Sequence, residues 1–308
     1  MFRYIVYLCL VIMLAACSTP QAFPGAGYVD LNKLMPLPSP AAQEIHPIKV
    51  AIAAVISPRG TAESYGPLLE YLSQKLNRPV ERIQRRTYSE VNELLRTGEV
   101  DLAFVCTSSY LLGKDAFNLQ LLVAPVVEGE TTYHAQLIVP AGSPTTQMEN
   151  LRGKVFAFTD PTSFTGRVYP TFMLYQMGET PETFFSHTFF TYSHDDAIHA
   201  VADGMADGAS VDSLVLAFAL KRQPELADQI RIIHTSPPFG IPPVVVSPSL
   251  RPQTRAELEA ILLNMHQDAD GIAALHALDY ERFVSVEDKD YQSARDVESL
   301  ISFSEPIQ

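Results

Sequence analysis

Lys49-Val-Ala-Ile-Ala-Ala-Val-Ile56 is an apolar run of the length of a buried strand, and Ser57-Pro58-Arg59-Gly60 closes it. A helical stripe follows, with Tyr65, Leu68, Leu69, Leu72 and Leu76 recurring at helical spacing. Pro79 to Ile83 reads as a second strand. Thr87-Tyr88-Ser89-Glu90 is a capping-box pattern ahead of Val91, Leu94 and Leu95, and Gly98 ends that helix. Val100-Asp-Leu-Ala-Phe-Val105 then returns as a strand. Strand, helix, strand, helix, strand implies right-handed crossovers and a parallel sheet.

The same alternation continues toward the C-terminus. Tyr133 to Pro140, Lys154 to Phe158 and Phe185 to Tyr192 read as strands. A helix is expected from about Asp195 to Asp203, with Gly204 at its end. Ala209-Ser-Val-Asp212 is a short strand leading into the apolar helix Leu214–Leu220, and Ile230–Ile233 and Val244–Val246 are the last strands. The C-terminal region reads as helices over roughly 253–267, 269–284 and 290–302. These lengths imply two α/β lobes of similar size.

Composition narrows the function. Of the 308 residues, 47% are apolar and 19% charged, which supplies a packed core and excludes a disordered chain. The formal net charge of −13 argues against nucleic acid as a partner. Three cysteines cannot make a disulfide framework. Arg3 precedes the apolar run Tyr4–Leu14, too short for a stable membrane span of ~20 residues and of signal-peptide length. The run ends Leu14-Ala15-Ala16-Cys17, which resembles a bacterial lipobox, so 1–16 is expected to be a lipoprotein signal peptide and Cys17 the lipidated residue. Ser18 after the cysteine favours the outer membrane in the Gram-negative sorting pattern that this resembles. The segment 17–46 then reads as the lipidated cysteine and a flexible tether. Cys106 reads as a buried small hydrophobe.

Four segments, in order, resemble the phosphonate/phosphite/phosphate ABC-transporter substrate-binding lipoproteins. They are Tyr65-Gly66-Pro67-Leu68 with Tyr71-Leu72-Ser73; Gly98 to Phe104 followed by Tyr110; Leu151 to Gly166 with Pro170; and Ser193-His194-Asp195 through Val201, then Gly204, Asp207 and Val211-Asp212-Ser213. The resemblance covers about residues 47–250. It implies a type II periplasmic-binding-protein clamshell, with lobe one at 47–133 plus 240–308, lobe two at 134–239, and a hinge of two crossing segments. It also implies a monomer that captures a small oxyanion and delivers it to an ABC permease, with no covalent chemistry and no cofactor.

A protein of this charge needs local donors to hold an anion. Ser163, Thr165 and Gly166 follow a strand and open a helix, where backbone N–H groups are unpaired and carry about half a positive charge. Ser163 and Thr165 add hydroxyls, and Gly166 lets an oxyanion approach the backbone; plain N-capping is the alternative. Phe164 stands where the family often has a hydroxyl residue. Tyr65, just before Pro67 at the expected start of its helix, is read as a cleft wall or phenol donor, against a core aromatic. Tyr110, past the carboxyl end of a parallel strand, is read as a rim residue, with Thr107, Ser108 and Ser109 as weaker candidates. His194 sits where a strand gives way to a helix and can donate to an oxyanion. Asp212, which faces the cleft in the family pattern, would hold a ligand amine or the proton of a partly protonated oxyanion, against a helix N-cap.

Scattered histidines without cysteine partners at ligand spacing give no metal site. Tyr133-His134 reads as fold or surface. There is no Gly-x-Ser-x-Gly elbow, Walker loop or His-Glu-x-x-His, so an enzyme is not expected. Two other readings stay open: a ligand-sensing accessory lipoprotein for a membrane receptor or kinase, and a binder of a small organic ligand.

Overall fold

A computed structural model describes residues 46–56 and 58–301. The expected signal peptide, Cys17 and all of the tether but its last residue lie outside the described residues. The strands are, in chain order, β1 (Ile48–Ile52), β2 (Val80–Gln84), β3 (Leu102–Phe104), β4 (Gln120–Val126), β5 (Thr132–Tyr133), β6 (Ala135–Pro140) and β7 (Val155–Phe158). They continue as β8 (His187–Phe190), β9 (Gly208–Asp212), β10 (Ile230–Thr235), β11 (Phe239–Gly240), β12 (Val244–Val246) and β13 (Arg282–Val284).

These strands form two sheets, ordered β13-β4-β12-β3-β1-β2 and β10-β6-β9-β7-β8, joined by the short antiparallel pair β11–β5. The chain leaves the first sheet after β4, enters the second at β6, and returns from β10 through β11 to β12. This is the two-lobed type II clamshell. Each sheet is parallel only in part. β1 pairs parallel with β2 and β3, and β7 with β8 and β9. The strands that carry the chain between the sheets run the other way: β12 is antiparallel to β3 and β4, and β6 to β9 and β10.

Local sequence accounts for these elements. Thr87 and Glu90 form the reciprocal capping box that starts the helix Tyr88–Thr97. Gly98 ends it at φ 73°, a left-handed conformation that suits glycine. In β1 the side chains alternate between two packed faces. Ile48, Val50 and Ile52 meet Leu68 and Leu72 of the helix Pro58–Leu76, whereas Ala51 packs with Val91 and Leu95.

Three expectations need correction. The segment 269–284 is not one helix: Ala269–His276 is helical, Asp279 turns left-handed at φ 56°, and β13 follows. Thr107–Phe117 is a helix and Gln120–Val126 a strand, and neither was expected. Tyr65 does not start its helix, which begins at Pro58 and carries Pro67 in its interior.

The lobes meet through an apolar seam. Ala51, Ala53 and Val105 of the first lobe pack in one cluster with Phe164, Val168 and Tyr169 of the second. Hydrogen bonds cross the seam as well. The Tyr88 amide donates to Asp160 Oδ2 at 3.1 Å, and the His194 amide donates to the Val55 carbonyl at 2.9 Å. The Arg86 guanidinium lies 4.1 Å from the centre of the Tyr192 ring.

Candidate functional site

The loop after Asp160 lies on this seam, between β7 and the helix Tyr169–Gln176. Residues Phe164–Val168 form one π-helical turn, a feature often found at functional sites. Ser163, Phe164, Thr165 and Gly166 are all buried. The amides expected to be bare are in part taken. Gly166 N–H donates to Ser163 Oγ at 3.1 Å, and Phe164 N–H donates to Cys106 Sγ at 3.4 Å. Gly166 also has a packing reason: a Cβ there would lie 1.8 Å from Thr159 Oγ1. Phe164 turns its ring onto Phe239, with centroids 4.6 Å apart. The loop therefore presents hydroxyls more than backbone N–H groups.

His194 begins the helix His194–Ala202, which Ser193 caps by accepting from Asp196 N–H. The backbone N–H of Asp212 donates to His194 Nδ1 at 3.1 Å. The ring proton therefore sits on Nε2, which lies 3.4 Å from Ser163 Oγ. Burial pulls the imidazole down to about 3, so at neutral pH it is an uncharged donor. Ser163 Oγ already accepts from Gly166, and its own O–H remains to donate.

Asp212 ends β9, and its Oδ1 accepts from Leu214 N–H at 2.7 Å and from Val215 N–H at 3.4 Å. The N-cap reading and the cleft reading thus apply to one side chain. Burial lifts its carboxyl to about 7 despite those two backbone bonds, which favour the anion. Near neutral pH the carboxyl is divided between its acid and anionic forms.

Two further residues lie at this seam. Tyr88 opens its helix at the seam, and Tyr133 lies on the crossing strand β5. Both are buried, and neither phenol oxygen has a hydrogen-bond partner. Burial drives both phenols well above their usual 10, and the carboxyls of Asp160 and Asp212 add to the shift of Tyr88 and that of Asp212 to the shift of Tyr133. They are protonated donors at any working pH. Ser163 lies near enough to Tyr88, and Thr107 near enough to Tyr133, to ease those shifts slightly, without the geometry of a hydrogen bond. Thr165 Oγ1 is likewise buried without a partner. A buried hydroxyl with no acceptor costs about 1–3 kcal/mol, so a cluster of them calls for an explanation. Cys106 is a free thiol pushed up to about 12 by burial, which makes it unreactive.

The other expected residues have different surroundings. The Tyr110 phenol donates to Asp288 at 2.6 Å and its ring packs on Tyr291. Thr107, Ser108 and Ser109 are buried in the first turn of the helix Thr107–Phe117, where Thr107 Oγ1 donates to the Gly240 carbonyl. Tyr65 packs edge-on against Phe104, and burial holds its phenol up at about 12, a shift that the nearby Tyr280 eases. Tyr65 and Asp212 both line a cavity of about 90 Å³ walled by Val55, Val105, Leu214 and Leu278. No group of three or more metal-ligating side chains occurs among the described residues. No helix among them is long and apolar enough to cross a membrane.

Of the seven residues that the sequence singles out, Ser163, Thr165, Gly166, His194 and Asp212 come to one seam, Tyr65 shares a cavity with Asp212, and Tyr110 is bonded to Asp288. Sequence reasoning set Tyr133 aside and took Tyr88 only as part of a capping pattern. The available signal for both was position. Tyr133 occupies a strand that crosses between the lobes, and Tyr88 opens a first-lobe helix whose start meets Asp160 of the second lobe.

The sequence profile described as "ABC transporter, phosphonate, periplasmic substrate-binding protein" matches residues 50–291. The phosphate-import protein PhnD of Mycolicibacterium smegmatis is 25% identical over 221 residues, which cover 67% of this chain and 64% of that relative. The match thus spans just under two thirds of the relative's length. A binding-protein component of an ABC phosphonate transporter from Pseudomonas aeruginosa superposes with a TM-score of 0.77 at 22% identity, over 82% of this chain and 85% of that one. PhnD1 from Prochlorococcus marinus, solved in complex with methylphosphonate, gives 0.73 at 19% identity, over 82% and 97%. With most of its length matched and the same fold, the chain belongs to the family of periplasmic substrate-binding proteins of phosphonate ABC transporters.

Proposed function

We propose that this protein captures a small oxyanion of the phosphonate, phosphite or phosphate type and hands it to an ABC permease. The carrying observation is the set of buried hydroxyls without acceptors, Tyr88, Tyr133 and Thr165. Ser163 and the Nε2–H of His194 stand beside this set. An oxyanion supplies the acceptors these groups lack, and each charge-assisted hydrogen bond contributes about 1.5–3 kcal/mol. Such donors hold an anion without a cation, which suits a chain of net charge −13. Asp212 in its acid form adds a donor, and in its anionic form it opposes the ligand. Closure of the two lobes over the site is a hinge motion about the β5–β11 crossing. Delivery to a permease rests on family membership and on the name of the phosphate-import relative.

Titration calorimetry of the purified protein with methylphosphonate, phosphite and phosphate tests the reading. One-to-one binding of at least one of the three is expected. Absence of heat with all three, together with binding of an uncharged organic molecule, overturns it.

The protein is further proposed to act as a monomer anchored by lipid at Cys17, on the outer membrane if the cell is Gram-negative. The order Leu14-Ala15-Ala16-Cys17-Ser18 supports this. Cys17→Ser is expected to release the protein from the membrane fraction, and retention of that variant refutes the anchor.

A further inference from the structure

We infer that Arg86 and Tyr192 form a clasp that holds the two lobes together on the flank remote from their crossing strands, and that breaking it is part of releasing the ligand. The inference rests on the lobe closure proposed above and concerns a contact outside the ligand site.

Topology puts this contact where it has leverage. In the first sheet β2 is an edge strand, three strands from β12, and in the second β8 is an edge strand, three strands from β6. β12 and β6 are the strands at which the chain enters each lobe from the crossing. With strands ~4.8 Å apart, each edge stands roughly 14 Å from that point. Arg86 follows the end of β2 by two residues, and Tyr192 follows the end of β8 by two. Their stacking at 4.1 Å therefore joins the two free edges. A hinge motion about the crossing separates this pair further than any contact nearer the hinge.

The backbone points the same way. Tyr192 has φ 63°, a left-handed conformation that costs a tyrosine free energy and that glycine or asparagine adopts more readily. Its N–H donates to the Thr159 carbonyl at 2.7 Å, which fixes the turn. The turn leads from β8 into the helix His194–Ala202 and sets the ring against Arg86. On the first lobe, Arg86 stands two residues before Tyr88, whose amide donates across the seam to Asp160 and whose phenol has no partner. One short segment, Arg86-Thr87-Tyr88, thus both grips the second lobe and carries a proposed ligand donor. Arg86 and Tyr192 are positioning residues, acting through Tyr88 and the seam.

The Tyr88 and His194 amides bond across the seam to Asp160 and to the Val55 carbonyl, so their hydrogen exchange reports its opening with no ligand present. In Arg86→Ala and in Tyr192→Leu both amides are expected to exchange about twofold to fivefold faster, the worth of one exposed cation–π pair. Amides of the β1 ladder, within the first lobe, are expected to be unchanged. Arg86→Lys and Tyr192→Phe keep a cation and a ring and are expected to match the wild type. The combined Arg86→Ala and Tyr192→Leu variant is expected to exchange no faster than either alone. Faster exchange at Tyr88 without His194 makes the contact local and overturns the clasp. Additive effects in the combined variant, or no protection of either amide in the wild type, overturn it too. Stopped-flow release of methylphosphonate is expected to quicken by the same factor in Arg86→Ala, and unchanged release overturns the clasp's part in it. If methylphosphonate does not bind, the oxyanion reading falls and the exchange measurement still decides the clasp.

Discussion

The first lobe and the seam between the lobes both bury tyrosines, and their hydroxyls differ in what they do. The Tyr110 phenol donates to Asp288 at 2.6 Å. Tyr88 and Tyr133 bury their phenols with no partner. Tyr110 closes its own polar account and contributes to the fold. The seam pair leaves a cost of about 1–3 kcal/mol per hydroxyl inside the folded protein, which binding of an acceptor would recover. Partner accounting thus separates a structural tyrosine from a ligand tyrosine where position relative to a strand end does not.

The sharpest way to break this contrast is Tyr88→Phe combined with Tyr133→Phe. Each change removes one donor to an anion, about tenfold to hundredfold in affinity. The double variant is expected to lose at least a hundredfold in methylphosphonate affinity by calorimetry. Its thermal midpoint is expected to stay level or rise, because an unsatisfied buried hydroxyl has been removed. A lower midpoint with unchanged affinity would make these two tyrosines structural after all.

Much of the fold was legible from the chain, and the reasons are local. The Thr87–Glu90 capping box and left-handed Gly98 fix a helix by short-range bonds that sequence spacing reveals. Elements that depend on distant partners were harder to see. β4 carries Pro125, a residue that argues against a strand, yet Pro125 pairs with Phe283 of β13 across an antiparallel ladder. The helix Thr107–Phe117 follows Cys106, which makes no side-chain cap, and opens with Thr-Ser-Ser, which reads as a loop. The site divides along the same line. Ser163, His194 and Asp212 each stand at a helix start that the sequence announces. Tyr88 and Tyr133 become visible only once the fold shows that no acceptor reaches their hydroxyls. That is a tertiary fact, and no spacing encodes it.

A second test works on charge within the seam. Asp212 is lifted to about 7 by burial. Below that value it carries a proton and can donate to an oxyanion. As pH rises through it, the free protein takes up a negative charge beside the ligand site. Affinity is therefore expected to be level from pH 5.5 to about 7 on this account. It should then fall, by up to about tenfold per pH unit. The ligand ionises in the same range, so the useful quantity is the ratio of wild type to Asp212→Asn at each pH. Asparagine keeps the helix cap, stays neutral and can donate. That ratio should decline about tenfold between pH 6.5 and 8.5. A constant ratio would remove Asp212 from the ligand's electrostatic surroundings.

The smallest expected effect falls on Tyr110 and sharpens the comparison from the other side. Tyr110 was read from the sequence as a rim residue, because it follows a parallel strand at its carboxyl end. Its phenol instead donates at 2.6 Å to Asp288, a carboxylate that also receives Arg295 at 3.3 Å. The Asp288 side chain is 48% exposed, so solvent screens the bond and its net worth is about 1 kcal/mol. Tyr110→Phe is accordingly expected to lower the thermal midpoint by about 2–4 °C and to leave ligand affinity within about twofold. If affinity instead drops tenfold while the midpoint stays put, then Tyr110 gives up Asp288 for the ligand when the lobes work. An engaged hydroxyl would then be no evidence against a binding role, and the distinction between Tyr110 and the seam pair would rest on Tyr88 and Tyr133 alone.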